Sequence, residues 1–106
     1  MAVHRKLVRD LVPALIQQGG EVAVTRVLDG AEYAASLFTK LAEEADELRT
    51  AAPQERLEEL SDVLEVVRAL AAHYGHTLEE VQAAADAKAA LRGGFGQRLW
   101  LEETTP

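Results

Sequence analysis

Apolar residues follow two different spacings along this chain. Between residues 29 and 51, Tyr33, Leu37, Leu41 and Leu48 recur at intervals of four and seven, the stripe of an amphipathic helix. Asp29 with Glu32 three positions later has capping-box spacing, so the helix is predicted from about Gly30 to Ala51. A second long helix is predicted from Pro53, which suits a first turn, to Tyr74, with Gly75 stopping it. Its apolar arc is wide: Leu57, Leu60, Val63, Leu64, Val66, Val67, Leu70 and Ala71. Thr77 and Glu80 repeat the capping-box spacing and open a third long helix ending near Leu91, before Gly93–Gly94. Near the N-terminus, after the basic lead-in RKLVRD, a short helix LVPALIQQ is predicted, capped by Asp10 and ended by Gly19–Gly20. The second spacing is alternation. Residues 21–28 (EVAVTRVL) place Val22, Val24 and Leu28 on one face, and RLWLEE near the C-terminus is similar, so two short strands that could pair are predicted. The expectation is one all-α domain over residues 1–106, a bundle built from helix hairpins with a possible two-stranded β element.

Composition narrows the class. The 106 residues include no cysteine, which argues against a disulfide-stapled secreted fold. No apolar run approaches the ~18 residues needed to span a bilayer, and residues 1–30 lack a signal-type apolar region. A soluble cytoplasmic protein without a membrane partner is expected. Eighteen acidic residues against eleven basic give a net charge of -7, which disfavours a nucleic-acid polymer as partner.

The location of that charge changes the picture further. Residues 43–65 hold nine carboxylates and two arginines, so this window alone carries the whole -7. Placed at 100° per residue, Glu43, Asp46, Glu58 and Glu65 point outward and read as a solvated face. Glu44 falls inside the apolar stripe of the first long helix and Glu47 at its edge; Glu59 lies within the arc of the second, which Asp62 borders. A tight turn near Ala52–Pro53 would return the helices antiparallel, with Glu47 facing Glu59 and Glu44 facing Asp62 as two rungs less than a helical turn apart. Four carboxylates in a part-buried seam repel unless a hard divalent cation such as Mg²⁺ or Mn²⁺ neutralises them. The competing arrangement turns Glu47 or Asp62 outward onto Arg49, Arg56 or Lys40. His4, His73 and His76 lack the Glu-x-x-His spacing of di-iron bundles, zinc lacks His and Cys ligands, and RGGFGQR lacks the ending of a P-loop.

EEADE at 43–47 with ELSD at 59–62 resembles the paired Glu-Glu-x-x-Glu and Glu-x-x-Asp motif of the MazG-like all-α nucleoside triphosphate pyrophosphohydrolases. The flanks KLVRDLVP, LDGAEY, KLAEE and RGGFGQRLWLEE resemble a small single-domain branch of that superfamily, although the gap between Glu47 and Glu59 is short for it. The resemblance implies Mg²⁺-dependent hydrolysis between the α and β phosphates, giving a nucleoside monophosphate and pyrophosphate. It implies Glu44, Glu47, Glu59 and Asp62 as metal ligands, Glu43 and Glu44 in the catalytic machinery, with Glu43 helping to activate water, and a homodimer or homotetramer. A triphosphate also needs cations around the metal, for which Lys6, Arg9, Lys88, Arg92 and Arg98 are candidates against ordinary surface ion pairing. Lys40, one turn before Glu44, offsets that carboxylate, and Phe95 and Trp100 are expected in the core more readily than stacked on a base. House-cleaning of non-standard nucleotides is the expected role. The alternatives are phosphoribosyl-ATP hydrolysis, or a non-catalytic helical assembly or regulatory module holding a structural cation.

Overall fold

The computed structural model describes residues 1–106 and is all-helical, with no strand. Four α-helices follow in order: α1 (Val12–Gln18), α2 (Gly30–Thr50), α3 (Arg56–His73) and α4 (Leu78–Arg92). A single 3₁₀ turn, Pro53–Glu55, leads into α3.

Local chemistry accounts for the helix ends. Asp29 accepts a hydrogen bond from the Glu32 backbone N–H at 2.8 Å, and the Glu32 carboxylate accepts one from the Asp29 N–H, a reciprocal box that starts α2. Arg26 then grips Glu32 with two hydrogen bonds, of 3.1 and 2.8 Å. Thr77 and Glu80 form the same box at the start of α4. Gly75 after α3 and Gly93 after α4 adopt φ of +83° and +80°, where a Cβ would be strained. One cap departs from expectation: Leu11, not Asp10, stands at the N-cap of α1, and no side chain bonds the first turn. The helix instead begins as a turn in which Val12 N–H donates to Arg9 O, and Pro13 supplies a first-turn residue with no N–H to satisfy.

Both expected strands are absent. Residues 21–28 and 98–103 form no strand and carry no ladder, and Arg98 adopts a left-handed φ of +58°; their only backbone hydrogen bonds are local turn bonds, Glu21 N–H to Ile16 O and Arg98 N–H to Phe95 O. Alternation selects a strand only when a neighbouring edge satisfies its N–H and C=O groups, and the fold brings no edge to either segment. Val22, Val24, Val27, Leu99, Trp100 and Leu101 consequently lie exposed.

The interior centres on α2 and α3, which pack along each other; α4 touches α3 more sparingly, and α1 packs on no other helix. Leu37 of α2 and Val66 and Ala71 of α3 form the buried apolar core, and Tyr33 meets His73 edge-on across the same pair of helices. The fourth and last buried residue is a carboxylate, Glu44. Much of the α3 arc stays open: Leu57, Leu60 and Leu64 are exposed. The molecule measures 64 × 34 × 25 Å, with a radius of gyration of 18.3 Å, against about 13 Å for a compact chain of this length.

Candidate metal centre

Glu44 lies seven residues beyond Leu37 and therefore on the same side of α2, which is the side α3 covers. Only 7% of it is exposed. Glu59 and Asp62 stand three residues apart on α3, so their side chains share a face, and both are half-buried. One oxygen from each of Glu44, Glu59 and Asp62 lies within 4.8 Å of the other two. Oxygen ligands at about 2.1 Å from Mg²⁺ span up to ~4.2 Å across the ion, so small rotamer adjustments would close this triangle on a hard cation.

Two cations touch the cluster. Arg9 donates from Nη2 to Asp62 Oδ1 at 2.8 Å, and Lys40 Nζ stands 3.7 Å from Glu44 Oε1. Neither reaches the remaining oxygens of the two glutamates. Glu44 Oε2 and Glu59 Oε2 are shut off from solvent without any hydrogen-bond partner. Buried carboxylate oxygens normally have partners, because an unpaired one forfeits hydration with nothing in exchange. Burial pushes the Glu44 carboxyl above its ordinary range, reinforced by the charges of Glu47 and Asp62 and opposed by Lys40. Glu59 is likewise pushed up, by burial first and then by Glu47, Asp62 and Glu44. The site thus holds excess negative charge on orphaned hard oxygens, which is the donor chemistry a divalent ion satisfies. Glu44, Glu59 and Asp62 could hold such an ion.

The other expected site residues fare unevenly. Glu47 is exposed and is not one of the three residues of the triangle, although its charge acts on both Glu44 and Glu59; of the four expected carboxylates, three converge and the fourth stands beside them at the solvent edge. The outward ion-pair alternative is taken up by a different pair, Arg49 with Asp46 at 2.7 Å, rather than by Glu47. Glu43 is exposed, as its helical angle requires, and borders a cleft instead of the triangle. Lys6 lines that same cleft. Arg9 serves Asp62 rather than standing free for a phosphate. Lys88, Arg92 and Arg98 are exposed, belong to none of the chain's ion pairs, and are not brought to the triangle; Arg92 and Arg98 instead border a separate hollow in the loop 92–99. Phe95 and Trp100 are exposed rather than core, since the glycine-containing segment around them leaves the helices without packing back.

Three residues that pattern reading passed over line the Glu43 cleft: Arg5, Ser36 and Thr39. Arg5 belongs to the basic lead-in, which was the available signal. Ser36 stands four residues before Lys40, and Thr39 four before Glu43, a helical spacing visible only once a cleft gives that face a purpose.

The chain is 50% identical over 46 residues to an uncharacterized protein of Mycolicibacterium smegmatis, a match covering 43% of this chain and 47% of that protein. It thus spans about half the length of the curated relative it matches. No protein-family model and no solved structure matches the chain.

Proposed function

We propose that this chain is a cytoplasmic metal-dependent nucleoside triphosphate pyrophosphohydrolase, with Mg²⁺ as the ion and Mn²⁺ able to replace it. The observation that carries the reading is the buried triangle of Glu44, Glu59 and Asp62, with two orphaned carboxylate oxygens. The residues fit the ion by charge, hardness and spacing, and the MazG-like motif spanning them supports the choice of substrate. Glu44, Glu59 and Asp62 would hold the ion, with Glu47 completing the set from the solvent edge. When bound, the ion supplies charge neutralisation at the phosphates and a more acidic bound water. Lys40 stands beside the Glu44 carboxylate, Arg9 pairs with Asp62, and Glu43, exposed on the neighbouring cleft, would be the group that helps to activate water.

The active unit in this reading is a homodimer or homotetramer. The accessible surface is 9433 Å², whereas a compact monomer of 11.5 kDa exposes roughly 5,800 Å². That excess, about 3,600 Å² per chain, exceeds the roughly 1,000–2,500 Å² per partner that obligate interfaces of 2,000–5,000 Å² in total bury, so the chain has ample surface to cover in an assembly. Light scattering of the full chain at working concentration tests it, and a stable monomer would refute it.

Incubation with Mg²⁺ and a panel of canonical and modified nucleoside triphosphates, read by pyrophosphate release, tests the activity. Release above that of Glu44→Gln is expected. No release above that control across the panel would refute the enzymatic reading and favour a structural cation in a helical assembly. Adding phosphoribosyl-ATP in competition separates the two hydrolase readings.

A further inference from the structure

The N-terminal segment does more than lead into α1. It crosses α2 so that Arg5 and Lys6, with Ser36, Thr39, Lys40 and Glu43 of α2, enclose a cleft of about 200 Å³. Arg5 turns the chain there through a φ of +49°, a conformation that non-glycine residues avoid unless their surroundings impose it. Arg9 fastens the far end of the segment to Asp62.

The cleft is positive on a chain whose net charge is -7. Three cations face the single carboxylate of Glu43, and neither Arg5 nor Lys6 has a carboxylate partner anywhere in the chain. Ser36 makes no hydrogen bond and keeps its hydroxyl proton to donate, whereas the Thr39 hydroxyl is committed to Ala35 O at 3.2 Å. Unpaired guanidinium and ammonium groups with a free hydroxyl are the donor set for a phosphoryl group. The position adds meaning to the chemistry. Lys40 borders the cleft and also faces Glu44, so cleft and carboxylate triangle meet at this one side chain.

We propose that this cleft is an anion subsite that takes the terminal pyrophosphoryl portion of a polyphosphate whose inner phosphate lies at the carboxylate triangle. The proposal rests on the metal-site reading for its orientation, but the subsite itself needs only the cations. A polyphosphate bound this way spans an acidic end, which the metal serves, and a basic end, which Arg5, Lys6 and Ser36 serve. The two ends draw opposite partners, and this fixes the direction of the chain of phosphates.

The test is calorimetric titration of inorganic pyrophosphate into the full chain in EDTA, alongside Mn²⁺ titration without EDTA. Arg5→Ala with Lys6→Ala is expected to weaken metal-free pyrophosphate binding by tenfold or more, about what losing one charge-assisted hydrogen bond costs, while Mn²⁺ binding stays unchanged. Glu44→Gln is expected to do the reverse, abolishing Mn²⁺ binding and leaving metal-free pyrophosphate binding intact. Retained Mn²⁺ binding also reports that the double variant is folded. Unchanged pyrophosphate affinity in the Arg5/Lys6 variant would overturn the subsite, and so would no measurable pyrophosphate binding by the wild type. A nucleoside monophosphate competing as strongly as pyrophosphate would also overturn it, by showing that the cleft takes the inner phosphate. Absence of Mn²⁺ binding in the wild type would instead overturn the metal-site reading and leave the pyrophosphate arm to judge the cleft alone.

Discussion

Replacing Glu44 by glutamine should stabilise the metal-free protein while removing its response to metal. Glu44 is 7% exposed, its Oε2 has no partner, and Lys40 lies 3.7 Å from Oε1, well beyond the ~2.8 Å of a strong charge-assisted hydrogen bond. Leaving a buried polar group unsatisfied costs about 1–3 kcal/mol, and more for a charged one. An amide of nearly the same shape retains an unpartnered atom but no longer buries a charge, and Lys40 at 27% side-chain exposure keeps access to water. The net gain is therefore at the lower end, about 1–2 kcal/mol, or roughly 5–10 °C in Tm for a domain of this size. Metal reverses the order. An ion at 100 times its Kd contributes about 2.7 kcal/mol to the wild type and nothing to a variant that cannot hold it. Thermal melts of both proteins in EDTA and in saturating Mn²⁺ should cross, with Glu44→Gln melting higher in EDTA and the wild type higher in Mn²⁺. If Glu44→Gln melts lower in EDTA, the Glu44–Lys40 contact is a stabilising ion pair and the charge is not uncompensated. An equal Mn²⁺ response in both proteins removes Glu44 from the ligands.

Further outcomes follow from the same geometry. Because Glu44 and Glu59 titrate above their ordinary value of 4.5 in the folded state, the native protein binds more protons than the unfolded chain just above that value. Metal-free stability should therefore rise as pH falls from 7 toward 4.5, and Glu44→Gln should flatten the slope in denaturant titrations; a slope of opposite sign would refute the burial assignment. Arg9→Ala removes the cation holding Asp62 Oδ1, a half-exposed pair of about 0.2–1 kcal/mol, so Mn²⁺ affinity measured by calorimetry should tighten a few-fold rather than weaken. Thr77→Ala breaks the box that starts α4, a helix with no buried residue to compensate, and should cost about 1 kcal/mol with faster amide exchange in its first turn. Leu37→Ala empties the most buried position of a thin core and should cost about 2–5 kcal/mol in urea unfolding, enough to leave a large unfolded fraction at 25 °C.

What could be read from the sequence was whatever a few neighbouring residues decide. Asp29–Glu32 and Thr77–Glu80 start their helices because both partners of each box lie within one turn, and Gly75 and Gly93 end theirs because only the local φ matters. Helical angle alone likewise placed Glu44 inward and Glu43 outward, and put Glu59 and Asp62 on one face.

Tertiary structure decided the rest, because the deciding partner was distant in sequence. Alternation in 21–28 and 98–103 did not make strands, since a ladder depends on an edge that no local pattern supplies. Glu47, at the edge of its stripe, fell to the solvent side because depth between packed helices is set by both of them. Arg9 found Asp62 across 53 residues, and the basic segment before it meets α2 at the cleft. Spacing along one helix fixes direction, whereas distance between two charges is fixed only where separate elements meet. For this chain, that difference separates a run of acidic residues from a triangle of oxygens within 4.8 Å.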